Sequence, residues 1–291
     1  MLIFNNMKME YFLDMDSEYA QLEQARYVLL SVPYDGTSTF QKGADRGPQA
    51  IIDASDSIEL YDVVVDNEAY LAGIHTDKHT YDLSSPERMV EEVEQRVIHF
   101  LEQDKIVGLL GGEHSVSIGA IRAVKEKHPN LSVLQIDAHA DLRDSYQDSQ
   151  YNHACVMRRA QEVCPVVQVG IRSVCREEQE AIVPQKIFYA HQIHKQEDWI
   201  DRVLEQLTDE VYLTIDLDGL DPSILPATGT PYPGGLSWNQ LNELIEKLFQ
   251  SKKVVAFDVV ELAPFQHEKS SDVLAAVLVY RIISWMEKLN R

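Results

Sequence analysis

Leu131-Ser132-Val133-Leu134-Gln135-Ile136-Asp137-Ala138-His139-Ala140-Asp141 and Val211-Tyr212-Leu213-Thr214-Ile215-Asp216-Leu217-Asp218 are the two stretches that decide the fold. Each begins as an apolar, β-branched run of strand length and ends in acids. Each therefore reads as a strand buried on both faces that delivers charged side chains where it stops. In an extended chain successive side chains alternate faces, which predicts Asp137, His139 and Asp141 on one side, and Asp216 and Asp218 likewise. Carboxylates held this close repel one another inside a protein, and a strong local cation offsets the repulsion. The spacing predicts a metal site, and the two clusters together predict a pair of ions. Helix caps and turns are the ordinary use of scattered Asp. Two clusters of like spacing after buried strands favour ligands instead.

Working outward, further strand-like runs cover 27–32, 105–110, 166–171, 186–189 and 253–260. Segments with helical periodicity lie between most of them, at 86–103, 116–127, 197–207, 237–249 and 271–289. The first opens with Ser84-Ser85-Pro86-Glu87, a capping signature with proline in the first turn, and spaces Met89, Val90, Val93, Val97 and Leu101 down one face. Strands alternating with helices predict a three-layer α/β/α fold with a mostly parallel sheet. No repeat or linker interrupts the alternation, so the expectation is a single domain over 1–291, with residues 1–25 as an arm or extra surface element. Ligands of open parallel sheets bind beyond the carboxyl ends of the strands. The polar motifs follow that rule: Gly111-Gly112-Glu113-His114 after the 105–110 strand, the Asp137 and Asp216 clusters, and Glu261 after the 253–260 strand.

With Asp and Glu numbering 47 against 26 Lys and Arg, the formal net charge of −21 argues against a nucleic-acid partner and favours a small cationic substrate. No apolar run is long enough to span a membrane, and the first residues lack the pattern of a signal peptide. A cytoplasmic location is the expectation. The cysteines, Cys155, Cys164 and Cys175, have no CxxC pairing and read as reduced thiols. His191 and His194 lie in a polar stretch and read as surface residues.

The motifs together resemble the ureohydrolase superfamily of arginases and agmatinases, over most of the chain. The matching segments are Val32-Pro33-Tyr34-Asp35-Gly36-Thr37-Ser38, Gly111-Gly112-Glu113-His114-Ser115, Asp137-Ala138-His139-Ala140-Asp141, Thr214-Ile215-Asp216-Leu217-Asp218, Gly229-Thr230-Pro231 with Pro233-Gly234-Gly235, and Asp258-Val259-Val260-Glu261-Leu262. The resemblance implies two Mn²⁺ ions per subunit. His114, Asp137, Asp141 and Asp216 would hold one, and Asp137, His139, Asp216 and Asp218 the other, with Asp137 and Asp216 bridging. It also implies that an activated water attacks a guanidinium carbon to release urea and an amine. Asp141 is then the group beside that water, Glu261 the acid pairing with the guanidinium, and His153 the proton shuttle. The family often has Ser or Asp before this histidine and Gly after it, where Asn152 and Ala154 stand here. The run Leu142-Arg143-Asp144-Ser145-Tyr146 is similar to the agmatinase loop, implying agmatine hydrolysis to putrescine and urea, a step of polyamine biosynthesis. Guanidinobutyrate becomes the substrate if Arg143 faces the pocket, and arginase, a catalytically inactive regulatory member and a single-zinc deacetylase on a similar fold are the other readings. A homo-oligomer, trimeric or hexameric, is implied as well.

Overall fold

The structure, a computed structural model, describes residues 10–14 and 17–289. Eight strands form one sheet: β1 (Tyr27–Val32), β2 (Ile74–Asp77), β3 (Ile106–Gly111), β4 (Leu131–Ile136), β5 (Val166–Ile171), β6 (Ile187–Tyr189), β7 (Glu210–Asp216) and β8 (Lys253–Val260). Their order is β2-β1-β3-β8-β7-β4-β5-β6, and every pairing is parallel. The helices are α1 (Ser17–Ala20), α2 (Gly47–Ser55), α3 (Pro86–Leu101), α4 (Ser117–Lys127), α5 (Val156–Gln161), α6 (Ala190–Ile193), α7 (Trp199–Glu205), α8 (Trp238–Ser251) and α9 (Ser270–Leu289).

Two apolar clusters cover the two faces of the sheet. One joins Leu29, Leu134 and Ile136 to side chains of α2 and α6 to α9, and the other joins Val28, Leu30, Leu131 and Val133 to α3, α4 and α5. Alternation along a strand feeds both clusters at once, which is why β4 is buried at every position. The result is the expected three-layer α/β/α arrangement. Among the described residues no helix is long and apolar enough to cross a membrane.

Strand order explains the convergence of the polar motifs. After β3 the chain passes through α4 and enters β4 three places away, and β7 and β8 later fill the gap. The four adjacent central strands β3, β8, β7 and β4 are those followed by His114, Glu261, the Asp216 pair and the Asp137 cluster. At about 4.8 Å per strand their carboxyl ends span roughly 15 Å.

The structure adds elements that the periodicity did not predict. β2 is an edge strand of four residues, Ile-His-Thr-Asp, too short and polar to show an apolar pattern. α2 follows a 3-10 turn at Ala44–Arg46 and carries Pro48 in its first turn, and α5 has only six residues. Short helices give too few turns for a period to emerge. The expected capping at Ser85 is present, with its side chain accepting from the Arg88 N–H. Residues 1–9 and 15–16 of the expected N-terminal arm lie outside the described residues. Within the described part the chain is packed rather than projecting: Phe12 and Leu13 are buried, and their N–H groups donate to Thr76 Oγ1 and Ser55 Oγ.

α3 and α4 pack backbone to backbone at Gly119, where a Cβ would lie 2.3 Å from the Val90 carbonyl oxygen and 2.9 Å from the Glu94 nitrogen. Gly119→Ala should therefore force the helices apart and cost about 1–3 kcal/mol. Denaturant unfolding would read this as a lower midpoint at unchanged slope. An unshifted midpoint would contradict the close approach.

Candidate metal centre

His114 opens the turn after β3, and its position depends on a backbone contact only glycine allows. A Cβ on Gly112 would lie 1.9 Å from the Tyr34 carbonyl oxygen. The His114 ring is buried, and its Nε2 lies 2.9 Å from Thr214 Oγ1. That hydroxyl donates to Asp258 Oδ1 at 2.6 Å, and Tyr212 donates to Oδ2 of the same buried acid at 2.7 Å. Nε2 thus bears a proton in either charge state, which leaves Nδ1 as the nitrogen that can take up a further proton or a metal ion, the usual arrangement behind a metal-ligating histidine.

Nδ1 of His114 lies 3.2 Å from Asp137 Oδ2, 3.1 Å from Asp141 Oδ2 and 3.4 Å from Asp216 Oδ2. None of these contacts is directed as a hydrogen bond, and among the described residues the buried nitrogen has no other partner. A nitrogen ringed by three oxygens and aimed at none of them is how ligands surround a common centre. His139 is half-buried, with Nδ1 3.1 Å from Asp218 Oδ2 and 3.6 Å from Asp137 Oδ1. Two sets with ligand atoms within 4.8 Å of one another result, His114-Asp137-Asp216 and Asp137-His139-Asp218, sharing Asp137. All-oxygen and imidazole donors without thiolate suit a hard or borderline divalent ion such as Mn²⁺.

The acids do not reach this floor by strand alternation, as the spacing suggested. β4 ends at Ile136, and Asp141 adopts a left-handed backbone, φ 52°. β7 ends at Asp216, whose side chain caps the 3-10 turn Leu217–Gly219 by accepting from the Asp218 N–H at 2.9 Å. Asp216 therefore serves as a turn cap and also lies in a group that could hold a metal ion, where the sequence pattern set the two uses against each other. Glu261 is also left-handed, φ 67°, and accepts the His114 N–H on Oε1 at 2.8 Å. Such conformations cost about 1–3 kcal/mol each and persist where the surroundings over-determine them.

The electrostatics are those of a crowded acidic floor. Burial, then Asp218 and Asp137, push Asp216 well above the usual carboxylate range. Burial and the charge of Asp137 raise Asp141 to about 7, and burial with Glu113 raises Glu261 well above its ordinary value. Burial would also raise Asp137, but contacts with the two imidazoles hold it low. Burial alone would depress both rings, yet the surrounding acids lift His114 far above its ordinary value and His139 to about 12. The cluster holds positive charge wherever it can.

Above this floor lies a cleft of about 290 Å³ whose walls include His114, His139, Asp141, His153, Asp216 and Glu261. Every catalytic residue expected from the sequence lines it. Asp137 and Asp218 are buried beneath. His153 is kept neutral, lowered to about 4 by burial and then by His139 and His114. Arg143 both lines the cleft and is engaged, with NH1 3.1 Å from Glu177 Oε2 and its guanidinium 4.6 Å over the Tyr146 ring. His191 and His194 are exposed, and His194 contacts Gly234 and Gln240. All three cysteines are free, and burial pushes the Cys155 thiol up to about 12, which makes it inert.

Sequence reasoning missed the supports. Arg172 donates to the carbonyls of Asp218, Gly219, Leu220 and Tyr232, tying together the loops that carry the second ligand set. Glu178 receives the N–H groups of Leu142 and Cys175, anchoring the loop after Asp141. Gln135 donates to Asp137 Oδ2 at 2.7 Å and accepts from Gln168. A glutamine inside a six-residue buried strand was the one available signal.

The arginase family model matches residues 25–284. The N(1)-aminopropylagmatine ureohydrolase of Synechocystis sp. is 36% identical over 278 residues, covering 92% of this chain and 91% of that protein. The agmatinase of Pyrococcus horikoshii is 32% identical over 276 residues, covering 93% and 95%. Among solved structures, the agmatine ureohydrolase of Thermoplasma volcanium superposes with a TM-score of 0.85 at 32% identity, covering 98% of this chain and 96% of that one.

A divalent ion that relieves the repulsion should stabilise the fold, by about 2.7 kcal/mol for each site at a hundredfold excess over Kd. Chelation should lower the thermal midpoint, and adding Mn²⁺ should restore it. A midpoint indifferent to both would contradict the metal reading.

Proposed function

This chain belongs to the arginase family, and on that premise we propose that it is a binuclear manganese ureohydrolase of agmatinase type that hydrolyses agmatine to putrescine and urea. The observation that carries the reading is the pair of His/Asp sets sharing Asp137 beneath a cleft that also holds Asp141, His153 and Glu261. In this reading His114, Asp137, Asp141 and Asp216 hold one ion, and Asp137, His139, Asp216 and Asp218 the other. Bound there, the ions supply a water acidic enough to act as nucleophile near neutral pH.

The chain's own residues do the rest. Glu261, with Oε1 steadied by the His114 N–H, presents a carboxylate to the guanidinium and orients its carbon. Asp141 accepts a hydrogen bond from the attacking water and takes up its proton. As the C–N bond to the alkyl amine breaks, that proton passes through His153, whose Nε2 takes it up and releases it to the departing nitrogen, leaving urea and a primary amine. Arg143 is already paired with Glu177 and stacked on Tyr146, which supports a bracing role over recognition of a substrate carboxylate.

The acidic balance of the chain supports a polycationic substrate. A second reading, N(1)-aminopropylagmatine, is favoured by relatives bearing that activity in their names, at 36% and 38% identity. Both substrates share the guanidinium end and lack a carboxylate. We place the enzyme in the cytoplasm as a single ureohydrolase domain in a trimer or hexamer. Exposed apolar side chains at Tyr61, Val63, Val64 and Leu71 support assembly.

Urea release across agmatine, N(1)-aminopropylagmatine, arginine and guanidinobutyrate tests the reading. Arginine brings a carboxylate toward a cleft whose Arg143 is already paired with Glu177, so agmatine should be favoured in kcat/KM by at least about a hundredfold. Arg143→Ala should leave agmatine hydrolysis largely intact. A preference for guanidinobutyrate that this variant abolishes would overturn the assignment. Asp216→Ala should nearly abolish activity, and His153→Ala should lower kcat by about 10²–10⁴ with metal content unchanged.

A further inference from the structure

Glu113 is fully buried, and the proposed chemistry gives it no task. Nor does it use Thr37, in the Pro33-Tyr34-Asp35-Gly36-Thr37-Ser38 motif far away in sequence. The two meet at His153. The Thr37 hydroxyl donates to Glu113 Oε2 at 2.7 Å, and the other carboxylate oxygen takes the Ser115 hydroxyl at 2.6 Å. Thr37 Oγ1 also accepts the His153 backbone N–H at 3.0 Å and lies 3.2 Å from His153 Nδ1.

A hydroxyl has one hydrogen and two acceptor sites. Here the hydrogen goes to Glu113 and the backbone N–H fills one acceptor site, so the contact with Nδ1 has to be Nδ1–H donating to the other. The imidazole proton is held on Nδ1, toward Thr37, and Nε2 carries the lone pair. Three further contacts fix where Thr37 sits. The Glu113 N–H donates to the Tyr34 carbonyl at 2.8 Å, and the Asp35 carboxylate braces the loop by accepting from Ser38 and the Gly43 N–H.

We propose that Thr37 and Glu113 are positioning residues that act through His153, fixing its tautomer and ring orientation so that Nε2 faces the reacting centre. This deepens the reading above and depends on it, because it concerns the histidine assigned there as proton shuttle. Glu113 is fully buried and does not line the cleft, so it orients the ring without competing for the cationic substrate.

The test is a kinetic cycle on the manganese-loaded enzyme with agmatine, measuring kcat, KM and bound metal. Thr37→Val keeps the shape and removes the hydroxyl; it should lower kcat about tenfold or more while KM and metal content stay within twofold. Thr37→Ser should return kcat to within about threefold of the parent. In a His153→Ala background, Thr37→Val should have no further effect, because a residue acting through another is silent once that one is gone. If the valine variant does not fold, Thr37→Ala serves in its place. A wild-type kcat in the Thr37 variants, additive losses in the double variant, or failure of serine to rescue would overturn the proposal while leaving urea release by the parent intact. A parent that releases no urea from any guanidino substrate would overturn the underlying reading and this inference with it.

Discussion

Mutual repulsion among Asp137, Asp141, Asp216, Asp218 and Glu261, all buried at the carboxyl ends of the three adjacent strands β8, β7 and β4, is the constraint around which the rest of the structure is organised. Unpaired carboxylates in a low-dielectric floor are among the costliest groups a protein can bury. This chain assembles them by several means at once. A parallel sheet points its strand ends the same way, and β7 and β8 are inserted between β3 and β4 so that the three acid-bearing ends are neighbours of one another and of the end that carries His114. Two residues accept left-handed backbones to bring their carboxylates in. Such an arrangement is retained where the repulsion is answered by a cation, and the unpartnered Nδ1 of His114 among three oxygens marks where one fits.

Among the described residues, containment comes from neutral donors and remote cations rather than from direct ion pairs with Lys or Arg. Asp137 takes the Gln135 amide and the His139 N–H, and Asp218 takes the Ala138 N–H and the Thr230 hydroxyl. Arg172, the guanidinium nearest the second ligand set, spends its donors on backbone carbonyls. A lysine or arginine bound directly to these carboxylates would neutralise them and leave nothing for a metal. Dipolar partners aim the oxygens while keeping their charge available.

Much of this was legible in the sequence, for reasons that differ by residue. Strand ends announced themselves because buried parallel strands are continuous apolar runs, so Asp137 and Asp216 stood out as the first charges after them. The gathering of these His and Asp side chains at one edge followed from the rule for strand ends together with the family resemblance. Strand alternation was the wrong cause: the Asp216 and Asp218 pair is set by a capped 3-10 turn. The edge strand β2 was invisible because its four residues carry one large apolar side chain. Thr214, Asp258, Arg172 and Glu178 were missed because each acts through a contact between elements remote in sequence, and no local pattern records such a contact.

The central claim is that two ions share Asp137 and Asp216, close enough to interact. Electron paramagnetic resonance of the manganese-loaded protein, with elemental analysis of the same sample, tests that most directly. The account predicts two ions per chain and the broadened signal of a spin-coupled pair. One ion per chain with the resolved hyperfine pattern of isolated Mn²⁺ would contradict it.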